Sequence, residues 1–272
     1  MFKKILVVNR GEIAVRLIRA CREMGIKSAA VYSSADTFSL HTRIADESHF
    51  LGGAAPSESY LNISKIIELA KRIEADAIHP GYGFLSENAD FIQAVEEAGI
   101  TFIGPSSKSV KMMGSKTAAR ELMIKNNVPI VPGTTTPIDS LDEAKKICEG
   151  IGYPVLLKAS AGGGGKGMKK VFNSDELEEG FLSASREAKK AFGSSDVYIE
   201  KLIQNPKHIE VQIIADKHGN YRHLFERECS VQRRHQKVIE EAPSPSLDQE
   251  TREKITLAAI NAAKACNYHN AG

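Results

Sequence analysis

The chain has 272 residues, enough for one large or two medium domains, and its 42% hydrophobic and 26% charged content is ordinary for a folded protein. A formal net charge of +2 leaves no bulk electrostatic case for nucleic acid or a membrane surface. The 4 cysteines (Cys21, Cys148, Cys229, Cys266) are far apart and match neither a zinc nor a Cys-x-x-Cys spacing, so they read as reduced thiols of a cytoplasmic protein. The apolar run Ile5–Val8 is too short for a signal peptide, and no segment reaches transmembrane length.

The first hundred residues alternate between two periodicities. Lys4–Val8 predicts a strand, and Glu12–Met24 a helix with Ile13, Leu17, Ile18 and Cys21 at helical spacing, closed by Gly25. Ser28–Tyr32 predicts a strand, Ser57–Ile73 contains a helix, and Asp76–His79 is again a strand. Ala89–Ala98 predicts a helix stopped by Gly99, and Thr101–Ile103 a strand stopped by Gly104 and Pro105. Such alternation predicts a parallel, doubly wound sheet. The first strand–helix turn, Asn9–Ala14, has one of the three glycines of a dinucleotide fingerprint, and Asp36 lies beyond the usual ribose spacing; the pattern argues against dinucleotide binding. His79–Asn88 follows a strand end, where open α/β sheets place ligands. It reads equally as a tight turn with Ser86 or Asn88 as N-cap.

Residues 106 to about 127 predict helix, with Lys116 near a helix start, where a lysine is usually solvated. Val128–Pro137, with three prolines and three threonines, marks a boundary. A helix then precedes the strand Val155–Lys158, which leads into Gly162, Gly163, Gly164, Gly165, Lys166 and Gly167. Lys169–Phe172 predicts a second strand, and a helix begins only near Asp175, so the glycines sit at a hairpin tip and fit neither the dinucleotide nor the Walker context. Without Cβ atoms, backbone N–H groups there can approach phosphates closely. Val197–Glu200 predicts a strand leading into Lys201, Leu202 and Ile203, a segment whose backbone could read an adenine edge while Glu200 takes the exocyclic amine.

In His208–Ala215, His208, Glu210 and Gln212 alternate with Ile209, Val211 and Ile213, so His208 lies on a polar face that lines a site or faces water. Tyr221–Val231 predicts the return strand, and Glu226 and Glu228 share one face, where they could bind a metal but read more simply as a solvated pair. Gln232-Arg233-Arg234-His235-Gln236-Lys237 is strongly basic; extended as a strand, it would put His235 and Lys237 on one face, suited to a small anion or, as charge runs often are, simply solvated. A final helix is predicted from Leu247 to Cys266.

Taken together, His79–Asn88, Lys158–Met168, Glu200–Ile203, His208, Gln232–Lys237 and Val238–Pro243 resemble the biotin carboxylase domain of biotin-dependent carboxylases, over essentially the whole chain. The resemblance implies an α/β fold turning to α+β in the second half. A Rossmann-like N-terminal domain (1–114) would be followed by an ATP-grasp domain (115–272) with a mobile glycine-rich lid at about 132–203. It implies that Lys116, Lys158 and Gly162–Gly165 meet phosphates and that Glu200, Lys201, Leu202 and Ile203 hold adenine. His208, Gln232 and His235 would line the nucleotide site, and Lys237 would bind bicarbonate, with His235 and Lys237 as the catalytic pair. The implied reaction is ATP-dependent carboxylation of biotin through carboxyphosphate, with magnesium (or manganese) as cofactor. The implied partners are a biotin carboxyl carrier and a carboxyltransferase, in a homodimeric enzyme. In that family the metal-binding carboxylates and late catalytic residues follow the final helix, so the expectation is an amino-terminal fragment, inactive alone, with no metal ligands of its own. Two other readings remain: a different bicarbonate-activating ATP-grasp ligase of the carbamoyl-phosphate synthetase type, or a non-catalytic nucleotide-binding module.

Overall fold

A computed structural model describes residues 1–159, 168–192, 195–234 and 236–272, and only the backbone of residues 116, 117, 159, 191 and 192. Two compact units emerge: residues 1–115, 213–223 and 266–272 form the first, and 116–212 with 224–265 the second.

In the first unit, β1 (Lys4–Val7), β2 (Lys27–Ser33), β3 (Glu47–Gly52), β4 (Ala77–His79) and β5 (Thr101–Phe102) form a parallel sheet in the order β3-β2-β1-β4-β5. Helices α1 (Gly11–Glu23), α2 (Leu40–Ile44), α3 (Ile63–Arg72), α4 (Ala89–Glu97) and α5 (Ser107–Gly114) accompany it. Successive side chains of a strand point to opposite faces. Leu6, Val8, Ala29, Val31 and Ile78 therefore join one core with Ile66 and Leu69 of α3 and Phe91, Ile92 and Val95 of α4. Ile5, Val7, Ala30 and Ala77 join the other with Ala14, Ile18 and Cys21 of α1. Helices on both faces and this strand order are those of a doubly wound fold, as expected from the alternation.

Strand β3 and the short α2 have no counterpart among the expected elements. β3 lies at the sheet edge and is buried only at Leu51 and Gly52, so its residues Glu47, Ser48 and His49 carry no apolar run to betray it. Asn88 caps α4, its side chain accepting from Phe91 N–H at 2.8 Å, which makes the end of His79–Asn88 a tight turn.

The second unit begins with α6 (Lys116–Lys125), separated from α5 at Ser115, and α7 (Leu141–Ile151). Strands β6 (Val155–Ala159), β7 (Met168–Val171) and β8 (Val197–Lys201) form an antiparallel sheet in the order β7-β6-β8, with α8 (Leu177–Phe192) between β7 and β8. Val155, Leu157, Val171, Val197 and Ile199 pack with Ala144, Cys148, Leu177 and Ala184 of the helices. The alternate residues Lys158 and Glu200 thereby share the face opposite that core.

The remaining elements are β9 (Ile209–Ala215), β10 (Tyr221–Arg233), β11 (Gln236–Glu241), α9 (Gln249–Ala265) and β12 (Asn270–Ala271), the strands ordered β11-β10-β9-β12. Two expectations are corrected here. The run Gln232–Lys237 is not one strand but a hairpin: Gln232 pairs with Lys237 and Arg233 with Gln236 across an antiparallel ladder. Arg234 turns the chain with φ +50°. Glu226 and Glu228 are not solvated. They are 2% and 7% exposed and held by Ser244, Arg252 and Ser230. Among the described residues, no helix is long and apolar enough to cross a membrane.

Candidate active site

Two clusters of the singled-out residues form within the second unit. The first lies on the β6/β8 face. Lys158 Nζ pairs with Glu200 Oε2, and Arg120 Nη1 of α6 lies 3.6 Å from Glu200 Oε1. Arg120 also donates to Val131 O at 2.7 Å. Glu200 thus faces two cations, so its carboxylate is engaged before any ligand arrives. Lys201 points its ammonium at Gly152 O (3.0 Å) and Tyr153 O (2.8 Å). Its backbone N–H donates to Pro132 O, and that of Leu202 to Pro154 O. Ile203 is half exposed beyond β8.

The second cluster is built on β9 and the β10/β11 hairpin. Because Gln232 and Lys237 are ladder partners, the turn places them side by side. Lys237 Nζ donates to Glu210 Oε2 at 2.5 Å, and Arg227 grips Glu210 Oε1 through Nε (2.8 Å) and Nη2. Donation from Lys237, then from Arg227, pulls the Glu210 carboxyl down to about 2, and Glu210 in turn raises the Lys237 ammonium. His208 Nδ1 lies 3.0 Å from the Gln232 amide nitrogen, and its Nε2 3.5 Å from Glu210 Oε2. His208, Gln232, Lys207, Ser230, Ile209 and Pro206 line a cavity of about 470 Å³. A larger, mostly apolar cavity of about 670 Å³ in the first unit is lined by Leu17, Cys21 and Phe102 among others, and of the singled-out residues only His79 reaches it among the described residues.

The structure therefore joins Lys158 with Glu200, and His208 with Gln232 and Lys237. The backbone of Lys116 opens α6, but its side chain is not described. Gly162, Gly163, Gly164, Gly165 and His235 lie outside the described residues. Glu210, Arg227 and Arg120 were not expected as site residues. The alternation of β9 already set Glu210 on the same face as His208, and that was the signal to extend to it. In the first unit, Asn9 spans the crevice between the ends of β1 and β4, donating to Pro80 O (2.7 Å) and Tyr82 O (2.8 Å). Among the described residues, no three His, Cys, Asp or Glu side chains converge to hold a metal ion. These residues do not by themselves fit a magnesium centre.

Family models match both halves of the chain: "Biotin carboxylase, N-terminal domain" over residues 1–110, and "Carbamoyl-phosphate synthase L chain, ATP binding domain" over residues 115–272. The chain belongs to the biotin carboxylase family. Within the family, it is 53% identical over all 272 residues to biotin carboxylase 1 of Bacillus subtilis, of which it covers 60%. It is similar to a Campylobacter jejuni biotin carboxylase solved as a β,γ-ATP complex (50% identity, TM-score 0.88, all of this chain and 61% of that one). The biotin carboxylase domain dimer of Hydrogenobacter thermophilus 2-oxoglutarate carboxylase, solved with MgADP, ADP and bicarbonate, is likewise similar (50% identity, TM-score 0.85, all of this chain and 60% of that one). The chain thus spans about 60% of the length of these relatives.

Proposed function

We propose that this chain supplies the nucleotide- and bicarbonate-binding part of a cytoplasmic biotin carboxylase, with a Rossmann-like domain at 1–114, an ATP-grasp domain at 115–272 and a lid at about 132–203. ATP would pass its γ-phosphoryl group to a bicarbonate oxygen, giving ADP and carboxyphosphate. The carboxyl group would then move to a biotin nitrogen on a carrier partner, releasing phosphate, before a carboxyltransferase uses it. The observation that carries this reading is the Lys237–Glu210 pair beside His208 and Gln232: an ammonium fixed in place by a carboxylate, with its ladder partner Gln232 and His208 lining the neighbouring cavity. The relatives solved with nucleotide and with bicarbonate support it.

Each residue has a task in this scheme. Lys237 holds bicarbonate, and Glu210 orients Lys237. Lys158 meets phosphate, leaving Glu200 balanced by Arg120. Lys116 and Gly162–Gly165 complete the phosphate contacts, Glu200–Ile203 border the adenine, and His235 stands with Lys237. Water must be kept out, because carboxyphosphate hydrolyses; a closing lid does that. Magnesium accompanying the nucleotide would offset phosphate charge. A homodimer is the proposed assembly.

The test is ATP cleavage by the full-length protein, expected to require bicarbonate and to rise with free biotin. Turnover indifferent to biotin would favour a ligase of the carbamoyl-phosphate type, a reading the family model over residues 115–272 keeps in view. Tight binding of NAD and none of ATP in calorimetry would sink both.

A further inference from the structure

We infer that Gln232 is a positioning residue that fixes the neutral His208 ring as the tautomer protonated on Nε2, so that the ring edge toward Glu210 offers a hydrogen-bond donor. The purpose of that donor rests on the nucleotide-site reading above; the tautomer does not.

One amide nitrogen decides the tautomer. Gln232 Nε2 lies 2.8 Å from the backbone oxygen of Cys229, which can only accept, so this end of the amide is its NH2. The same nitrogen lies 3.0 Å from His208 Nδ1. An amide NH2 offers no lone pair, so it donates to Nδ1, and Nδ1 is the bare ring nitrogen. The proton of the neutral ring then sits on Nε2. This is the usual logic by which a neighbour on one ring nitrogen sets the chemistry of the other.

The backbone of His208 is fixed separately. Its N–H donates to Ser230 Oγ at 3.0 Å, and the Ser230 hydroxyl donates to Glu228 Oε1 at 2.9 Å. Glu228 is buried, and its second oxygen accepts from Ser244 at 2.6 Å. The charged groups around the ring are Lys207 beside it in sequence and Glu210, 3.5 Å from Nε2. Lys237 and Arg227 already occupy Glu210, so Nε2–H remains poorly satisfied and suits an oxygen acceptor of a nucleotide.

The test is the imidazole 15N spectrum of the full-length protein, labelled at histidine and free of nucleotide, with a His208→Asn variant to assign the signals among the 8 histidines of this chain. Nδ1 is expected in the unprotonated range and Nε2 in the protonated range. Gln232→Glu puts a pure acceptor against Nδ1 and is expected to draw the proton there. It should raise KM for ATP about tenfold, the scale of one lost hydrogen bond, with kcat within about twofold. Gln232→Ala should give a mixture of tautomers and serves if the glutamate variant fails to fold. A protonated Nδ1 in the parent, a spectrum unmoved by either variant, or a fall in kcat at constant KM would overturn the inference. A parent that binds no ATP would sink the functional reading instead, while its spectrum still decides the tautomer.

Discussion

Lys237 and Glu210 are each a third exposed, close enough to water that their attraction is screened yet near enough to fix one geometry. Lys237→Ala is expected to abolish bicarbonate-dependent ATP cleavage by the full-length protein while nucleotide affinity changes less than about threefold. Calorimetry with ADP beside a coupled ATPase assay checks both halves. Glu210 also carries a pH signature. Its folded pKa of about 2 lies below the ordinary 4.5, so its stabilising contribution is complete above about pH 4.5 and fades as pH falls toward 2. The difference in urea midpoint between the parent and Glu210→Gln should therefore shrink when the comparison moves from pH 7 to pH 3.5. A constant difference would mean that Glu210 acts through shape and not charge. At this scale the sequence is half legible. The alternation of β9 points to His208 from the residue pattern alone, but the expected place of Lys237 depends on an extended strand that does not exist. No Gly or Asn-Gly marks the turn at Arg234, so the cross-strand pairing of Gln232 with Lys237 has no local signal.

Among the elements, α9 and the β10 strand are joined by a buried charge. Glu226 accepts from Arg252 Nε at 2.8 Å and from Ser244 N–H at 3.0 Å, while its other oxygen has no hydrogen-bond partner. A carboxylate on a strand ordinarily means solvent, and the residues that let Glu226 be buried instead lie 18 and 26 positions later, beyond the reach of any local pattern. Arg252→Ala strands Glu226 in the interior and is expected to cost about 3–5 kcal/mol, read from the urea midpoint. Replacing both residues by Met should recover most of that loss, because the penalty lies in the uncompensated charge. If the double variant is no better than Arg252→Ala, the pair matters for packing alone. The doubly wound sheet, by contrast, is legible because β1, β2 and β4 feed both cores with unbroken apolar residues.

Across the whole molecule, the cysteines form a built-in reporter. Cys21 and Cys266 belong to the first unit, Cys148 and Cys229 to the second, and all four are buried. Burial raises the thiols of Cys21, Cys148 and Cys266, and a thiol that is both hidden and protonated reacts slowly. In native buffer, a maleimide should therefore label none of the four at an appreciable rate. In urea, Cys21 and Cys148 each report on the unit that holds it. Each is buried in a core of its own unit, Cys21 with Ile18 and Ala14 and Cys148 with Ala144 and Leu157, so its exposure requires that core to open. Each thiol is therefore expected to become reactive over one narrow range of urea when modified peptides are counted by mass spectrometry. Labelling that instead climbs gradually from low urea would show that the core around that cysteine opens locally, without the cooperative melting of its unit.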